Sequence, residues 1–187
     1  MKLVSYKTEG RDHIGLYING HIYNLQTCDK RIPDTMLAFL QGGTEMMDIA
    51  RKADEQVRSG VIKAKEEALY ELMAPVPYPT SCRDGYAFRQ HVAAARRNRG
   101  VEMIPEFDEY PIFYFTNHNA IQGPGDIECM PDHFDKLDFE LEVAVAIGIG
   151  VGVPDCDVGP EAFVDPGCAQ HPPTFVAAAV EHHLADP

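Results

Sequence analysis

One alternating stretch constrains the fold of this chain more than any other part of the sequence. From Leu137 to Gly148 it runs L-D-F-E-L-E-V-A-V-A-I-G, with apolar residues alternating with acidic or small ones. A period of two with β-branched residues is typical of a strand with one packed face. The packed side is predicted to hold the apolar members of the alternation, namely Phe139, Leu141, Val143 and Val145. Glu140 and Glu142 then lie side by side on the opposite face.

Two neighbouring carboxylates on one strand face allow two interpretations. Like charges repel, and burial of either group is unfavourable without a positive partner. A hard divalent cation such as Mg²⁺ or Ca²⁺ takes oxygen ligands and would supply that charge. The alternative is the solvent-exposed face of an edge strand, which needs no ligand. The stretch by itself leaves both open.

Composition restricts the partners of the chain. Its 187 residues include 16 basic and 29 acidic ones, a net charge of −13. That balance argues against nucleic acid or an anionic membrane as a partner. No apolar run approaches a membrane span, and the N-terminus lacks the apolar region of a signal peptide, so we expect a cytoplasmic protein. The five cysteines are odd in number and scattered, which favours reduced thiols.

The first 73 residues predict a small α+β domain that begins with strands. Candidate strands cover Leu3–Tyr6 and Ile14–Ile18, and His21–Leu25 returns after Asn19-Gly20, a strong hairpin signal. The apolar residues of this part of the chain would then share one sheet face.

Two helices should complete this first domain. The shorter covers Asp34–Leu40 and stops at the glycine pair 42–43. The longer is capped by Thr44 and ends at Gly60. Its inner face is predicted from spacings of four, three and four to be Met46, Ala50, Ala53 and Val57. Three prolines between Ala74 and Pro79 place a domain boundary there, with a second domain over residues 74–148.

The second domain opens with polar residues before an Ala- and Arg-rich run that ends at Gly100. That run predicts a helix. If helical order begins near Asp84, His91 follows two turns later on the same face. Each residue also has a simpler interpretation: Asp84 as a helix N-cap, His91 as a surface histidine, and Tyr86 as a core residue.

Two further segments lead into the alternating stretch. Tyr110–Thr116 is aromatic and predicts a buried strand that opens at Pro111. Asn117–Gly125 is a polar, glycine-rich loop, either a binding loop or a simple turn.

Three pieces in this order resemble the fumarylacetoacetate hydrolase family of metal-dependent hydrolases. They are R-D-G-Y-A-F-R-Q-H at 83–91, I-Q-G-P-G-D at 121–126 and L-D-F-E-L-E-V-A-V at 137–145. The first and third carry most of the specificity, and the resemblance covers about residues 1–148. It implies an α+β chain whose catalytic domain is a mostly β, rolled mixed sheet, and members of the family commonly form homodimers.

The resemblance also implies roles for particular residues. Asp84, Glu140 and Glu142 match the ligands of one divalent ion, usually Mg²⁺ and sometimes Ca²⁺ or Mn²⁺. His91 matches a histidine that activates water, and Tyr86 matches a position that touches substrate. Family members hydrolyse C–C bonds in 1,3-dioxo acids, decarboxylate oxo acids, or isomerise and hydrate related small molecules.

This chemistry suits the residue types. A 1,3-dioxo acid offers two oxygens to one cation, which polarises the carbonyl and stabilises the enolate left by C–C cleavage. An imidazole exchanges protons near neutral pH, as a general base for water must.

After Gly148 the likeness ends, and the segment N-D-x-S-A-R-D expected about thirty residues past the glutamates is missing. Residues 149–187 contain no Lys or Arg, six acidic residues and six prolines. We expect a poorly ordered tail from a frame slip or truncated gene, with a short helix at most over Thr174–Leu184. The alternative to an enzyme is therefore an inactive fragment or interaction module.

Overall fold

The computed structural model describes residues 1–137, 140–141, 144–146 and 180–181. These residues fall into two compact units. The first contains residues 1–78 and the described residues from 121 onward, and the second contains residues 79–120. The predicted α+β class is confirmed, with antiparallel strand pairing throughout the described sheets. The division at Tyr78 lies within the proline-rich segment, and the domain limits given above stay predictions.

The first unit is built on an antiparallel sheet whose strands lie in the order β3-β2-β1-β4. The strands are β1 (Leu3–Thr8), β2 (Arg11–Ile18), β3 (His21–Asn24) and β4 (Glu71–Leu72). The predicted hairpin is confirmed, because Asn19 and Gly20 both have positive φ, 52° and 92°, as a tight β2–β3 turn requires. Strand β4 was missed, since two residues carry no readable period.

Three helices cover this sheet: α1 (Leu25–Cys28), α2 (Met36–Gln41) and α3 (Gly43–Arg58). Thr35 caps α2 by accepting a hydrogen bond from the Ala38 amide. The prediction of Thr44 as the cap of the long helix is wrong. Gly42 is the N-cap and makes no side-chain hydrogen bond, because α3 starts directly where α2 ends.

The core lies between the sheet and these helices. Ala50 and Ala53 of α3 are buried as predicted, whereas Met46 and Val57 are only partly buried against the core. Met47 and Ile49 take the remaining buried positions of that helix. The other buried apolar residues of the cluster are Ile14, Leu16, Ile18, Leu25, Ile32, Met36, Phe39 and Leu40.

The second unit contains a two-stranded ribbon and two helices. Strand β5 (Arg83–Gly85) pairs antiparallel with β6 (Phe113–Phe115), and the helices are α4 (Arg89–Asn98) and α5 (Glu106–Glu109). The strand predicted around Ile112–Thr116 is confirmed, but its burial is wrong. Phe113, Tyr114 and Phe115 are 41%, 65% and 75% exposed, because the ribbon has no second layer within residues 79–120. Aromatic residues favour strands without specifying what covers them.

The alternating stretch is described only in part. A 3-10 helix over Pro131–Lys136 precedes β7 (Glu140–Leu141), which pairs antiparallel with β8 (Val180–Glu181). Strand structure is therefore confirmed at Glu140–Leu141, while Phe139, Glu142 and Val143 lie outside the described residues. The predicted packed face is wrong at Val145, which is 47% exposed, and Ala146 packs on the core instead. A shift of one residue reverses the face of a strand.

The tail is described only at Val180–Glu181. These two residues form a strand, so the short helix predicted over Thr174–Leu184 is wrong at that point. The rest of residues 149–187 lies outside the described residues, and its predicted lack of order stays a prediction. Within the described part of the chain, no helix combines the length and apolar character needed to span a bilayer. Cys28, Cys82 and Cys129 form no disulfide there.

Candidate functional site

Asp84 lies on strand β5, opposite Tyr114 of β6, and is half-buried. The idea that Asp84 and His91 share one helix is wrong, because α4 begins only at Arg89. Gly85 is a poor helix former, and the backbone from Arg83 to Gly85 is already paired with β6. Asp84 therefore does not cap a helix, and it makes at least one further polar or electrostatic interaction.

The short turn between β5 and α4 nevertheless brings two predicted site residues together. The Tyr86 and His91 rings meet edge to face, with centroids 6.3 Å apart and planes at 87°. The backbone fixes this turn, since the Tyr86 amide donates to the Ile112 carbonyl at 3.0 Å and the Ala87 amide to Gly85 at 2.7 Å. His91 is solvent-exposed, so its imidazole is accessible to water or to a small ligand.

Tyr86 has two further neighbours that the sequence did not indicate. Phe107 of α5 meets its ring edge to face at 6.2 Å. Arg99 donates a hydrogen bond from Nη2 to the Tyr86 hydroxyl oxygen at 3.4 Å. Tyr86 is half-buried, and these contacts restrain its ring from two sides. Both partners are distant in sequence from Tyr86, and no local pattern identifies them.

Arg83, the first residue of the motif, stacks on the exposed aromatic residues of β6. Its guanidinium carbon lies 3.9 Å from the centroid of the Phe115 ring and 5.4 Å from that of Phe113. A cation over an aromatic face is stabilised by the ring quadrupole. Arg83 thus contributes to the ribbon that carries Asp84.

The glycine-rich loop belongs to the first unit, and one of its glycines is needed for packing. A Cβ on Gly123 would lie 2.8 Å from Met73 Cα and closer still to the Leu72 carbonyl oxygen. Only glycine allows the loop to approach the end of β4 so closely. Gly123 therefore has a structural role, whatever the other residues of the loop do.

The three predicted metal ligands are described unequally. Asp84 lies on β5, Glu140 lies on β7, and Glu142 lies outside the described residues. Among described residues, no group of three His, Cys, Asp or Glu side chains is placed to hold an ion. Because Glu142 was not part of that search, the predicted site stays a prediction. The donor set consists of carboxylates, which fit Mg²⁺, Mn²⁺ or Ca²⁺.

Comparison with known proteins adds two findings. Residues 80–157 match the family model of the fumarylacetoacetate (FAA) hydrolase C-terminal domain. The match includes the R-D-G-Y-A-F-R-Q-H motif and the glutamate pair, and it ends beyond Gly148, where we expected the likeness to stop.

The fold is similar to a solved fumarylacetoacetate hydrolase from the psychrophile Exiguobacterium antarcticum. The TM-score is 0.50 at 23% sequence identity, and the alignment covers 79% of this chain. It covers 47% of the solved protein, so this chain spans about half of that protein's length. No curated protein matches the chain.

Proposed function

Because residues 80–157 of this chain belong to the fumarylacetoacetate hydrolase family, we propose that it is a divalent-metal-dependent hydrolase. The proposed reaction breaks a C–C bond in a 1,3-dioxo acid such as an acylpyruvate. The observation that carries this proposal is the edge-to-face contact of Tyr86 with His91 at 6.3 Å. It places an exposed imidazole beside a phenol, two residues after the half-buried carboxylate of Asp84.

In this proposal Asp84, Glu140 and Glu142 hold the metal. All three are hard oxygen donors, and three carboxylates in one place require a counter-charge. When bound, a divalent ion polarises a carbonyl and stabilises enolate charge. Mg²⁺ is the expected ion, with Ca²⁺ and Mn²⁺ as the alternatives.

The organic side chains supply proton transfer and orientation. His91 is the proposed general base, which takes a proton from water at an imidazole nitrogen. Tyr86 is the proposed substrate contact, because its hydroxyl is held by Arg99 and its ring by Phe107. A restrained phenol can orient a substrate oxygen without first losing its own freedom.

The test combines metal binding and turnover in the full chain. Mn²⁺ binding is measured calorimetrically for the wild type and for the double variant Glu140→Ala, Glu142→Ala, and acylpyruvate hydrolysis is measured with and without Mg²⁺. We expect the double variant to lose binding and His91→Ala to lose turnover while still binding Mn²⁺. His21→Ala is the matched control, since His21 is an exposed histidine of the first unit, 2.6 Å from Glu66. Equal binding by the double variant would reject the metal site.

The second candidate is an inactive family member that retains part of the site. It is supported by the coverage of about half of the solved relative. Metal binding without turnover on any dioxo acid would favour it. Turnover that releases CO₂, or that rearranges the substrate without hydrolysis, would favour an oxo-acid decarboxylase or an isomerase instead. A homodimer and a cytoplasmic location stay predictions.

A further inference from the structure

We infer that Asp108 and Phe107 are positioning residues for Tyr86 and His91, and that the ion pair between Arg89 and Asp108 holds them in place. The catalytic meaning of this inference rests on the proposed function. Its geometry does not, because every contact involved lies within residues 79–120.

The ion pair joins the first turn of α4 to the one-turn helix α5. Arg89 Nε donates to Asp108 Oδ1 at 2.8 Å, and Arg89 Nη2 donates to Oδ2 at 3.1 Å. Two parallel hydrogen bonds fix both distance and orientation, which a single contact does not. Hydrogen bonding to the Arg89 guanidinium also lowers the pKa of Asp108 below its usual value, so the pair stays charged around neutral pH.

Helix α5 has little else to fix its position. It is four residues long, has no side-chain cap hydrogen bond and buries none of its residues. A single turn in water is not stable by itself, since nucleation of a helix is unfavourable. The contacts printed for its side chains are the Asp108 pair and the ring contact of Phe107.

Phe107 carries this placement to the site. Its ring meets Tyr86 at 6.2 Å and 86°, and Tyr86 meets His91 at 6.3 Å and 87°. Edge-to-face contacts have a preferred geometry, so a shift of Phe107 leaves Tyr86 with fewer restraints. His91 follows Arg89 by two residues on α4, and the ion pair therefore restrains both ends of the series of three rings.

The expected consequence is a change in geometry more than in stability. The Arg89 and Asp108 side chains are 58% and 54% exposed. Solvent-exposed pairs contribute little to folding free energy. A variant that loses the pair should fold normally and still lose the ring arrangement, which separates a positioning role from a structural one.

The experiment is proton NMR of the full chain with labelled His, Tyr and Phe side chains. In the wild type we expect cross-relaxation signals between the Tyr86 ring and the rings of both Phe107 and His91. Asp108→Asn and Arg89→Lys should lose the Tyr86–Phe107 signals and shift the His91 ring protons. Asp48→Asn is the matched control, because it removes an equally exposed pair, Asp48 with Arg51 at 2.9 Å, in the first unit.

A charge exchange tests the pair itself. The double variant Arg89→Asp, Asp108→Arg should recover the ring signals that each single change loses. If acylpyruvate turnover is present, Asp108→Asn should lower kcat by about tenfold to a hundredfold, the range for misplaced catalytic groups, with a smaller effect on KM.

Ring signals unchanged in both Asp108→Asn and Arg89→Lys would overturn the inference, and so would equal losses in Asp48→Asn. Should Asp108→Asn fail to fold, Arg89→Lys and Phe107→Leu decide by the same signals. A wild type without turnover counts against the proposed function alone, since the ring signals are measured independently of catalysis.

Discussion

The two units of this protein differ most in what they bury. The first unit sets its sheet against three helices and buries large side chains such as Tyr6 and Phe39 almost completely. In residues 79–120 of the second unit, Val92 is the one buried residue. The unit that carries the motif of Asp84, Tyr86 and His91 is thus the one with the smaller core. Stability and proposed chemistry are separated along the chain.

Polar contacts follow the same division. In the first unit, the buried Tyr6 hydroxyl accepts from Asn24 at 2.8 Å and donates to the Glu67 carboxylate at 3.3 Å. In the second unit, the bidentate pair of Arg89 and Asp108 is exposed. Loss of a buried partner leaves another buried group unsatisfied, whereas loss of an exposed partner is compensated by water. The first unit should therefore be the more sensitive to substitution.

The sharpest contrast is expected from one residue type in two places. Phe39→Ala removes a ring that is 1% exposed, and truncation of a buried aromatic side chain lowers the free energy of unfolding by about 3–5 kcal/mol. Phe115→Ala removes a ring that is 75% exposed and should change it by less than about 0.5 kcal/mol.

Urea unfolding followed by circular dichroism measures both variants, since the chain contains no tryptophan. Comparable losses in the two variants would show that the Phe115 ring is covered in solution.

Local signals in the sequence predicted the first unit well. Asn19-Gly20 predicted the β2–β3 turn, and the spacing of Ala50 and Ala53 predicted the buried face of α3. What failed there was fine detail: Gly42 caps α3 in place of Thr44 because two helices share that residue. Strand β4 depends on pairing with β1, a contact distant in sequence.

The second contrast concerns the buried hydroxyl of Tyr6. Tyr6→Phe keeps the ring but leaves the Asn24 amide and the Glu67 carboxylate without this partner. The expected loss is roughly 1–3 kcal/mol at pH 7, measured by urea unfolding. A loss below about 0.5 kcal/mol would mean that water replaces the hydroxyl, as it would at an exposed site.

The same residue predicts a pH dependence. Burial, together with the nearby Glu67 carboxylate, raises the pKa of Tyr6 above its usual value. As pH rises past the ordinary tyrosine pKa of about 10, the unfolded chain loses this proton while the folded chain keeps it. The stability is therefore complete below that pH and falls above it, by up to about 1.4 kcal/mol per pH unit. The slope attributable to Tyr6 should be absent in Tyr6→Phe.

The smallest effect compares two glycines. Gly20 has a φ of 92°, so Gly20→Ala places a side chain in left-handed backbone and should lower the free energy of unfolding by roughly 1–2 kcal/mol. Gly85 of β5 has ordinary φ, and an added Cβ would come no nearer than 4.0 Å to Ala87 Cβ. Gly85→Ala should be neutral within about 0.5 kcal/mol. Thermal unfolding of both variants decides this, and a reversed order would contradict the turn geometry.

The candidate site was less predictable than the core. The identities of Asp84, Tyr86 and His91 came from a motif, but their placement on a strand, a turn and a helix did not. Periodicity extended the helix back to Asp84, whereas pairing of β5 with β6 overrode it. Phe107, Asp108 and Arg99 touch the motif from later in the chain, and contacts of that kind leave no local signal.

The close approach of Gly123 to Leu72 also has a topological consequence. It returns the chain to the first unit after residues 79–120, so the second unit is an insertion within the first. The contact closes a loop of about fifty residues, whose closure entropy opposes folding by roughly 3.5 kcal/mol. An insert that folds early and brings its own ends together reduces that entropic penalty. The second unit, although poor in buried side chains, would then influence how quickly the richer core of the first unit is completed.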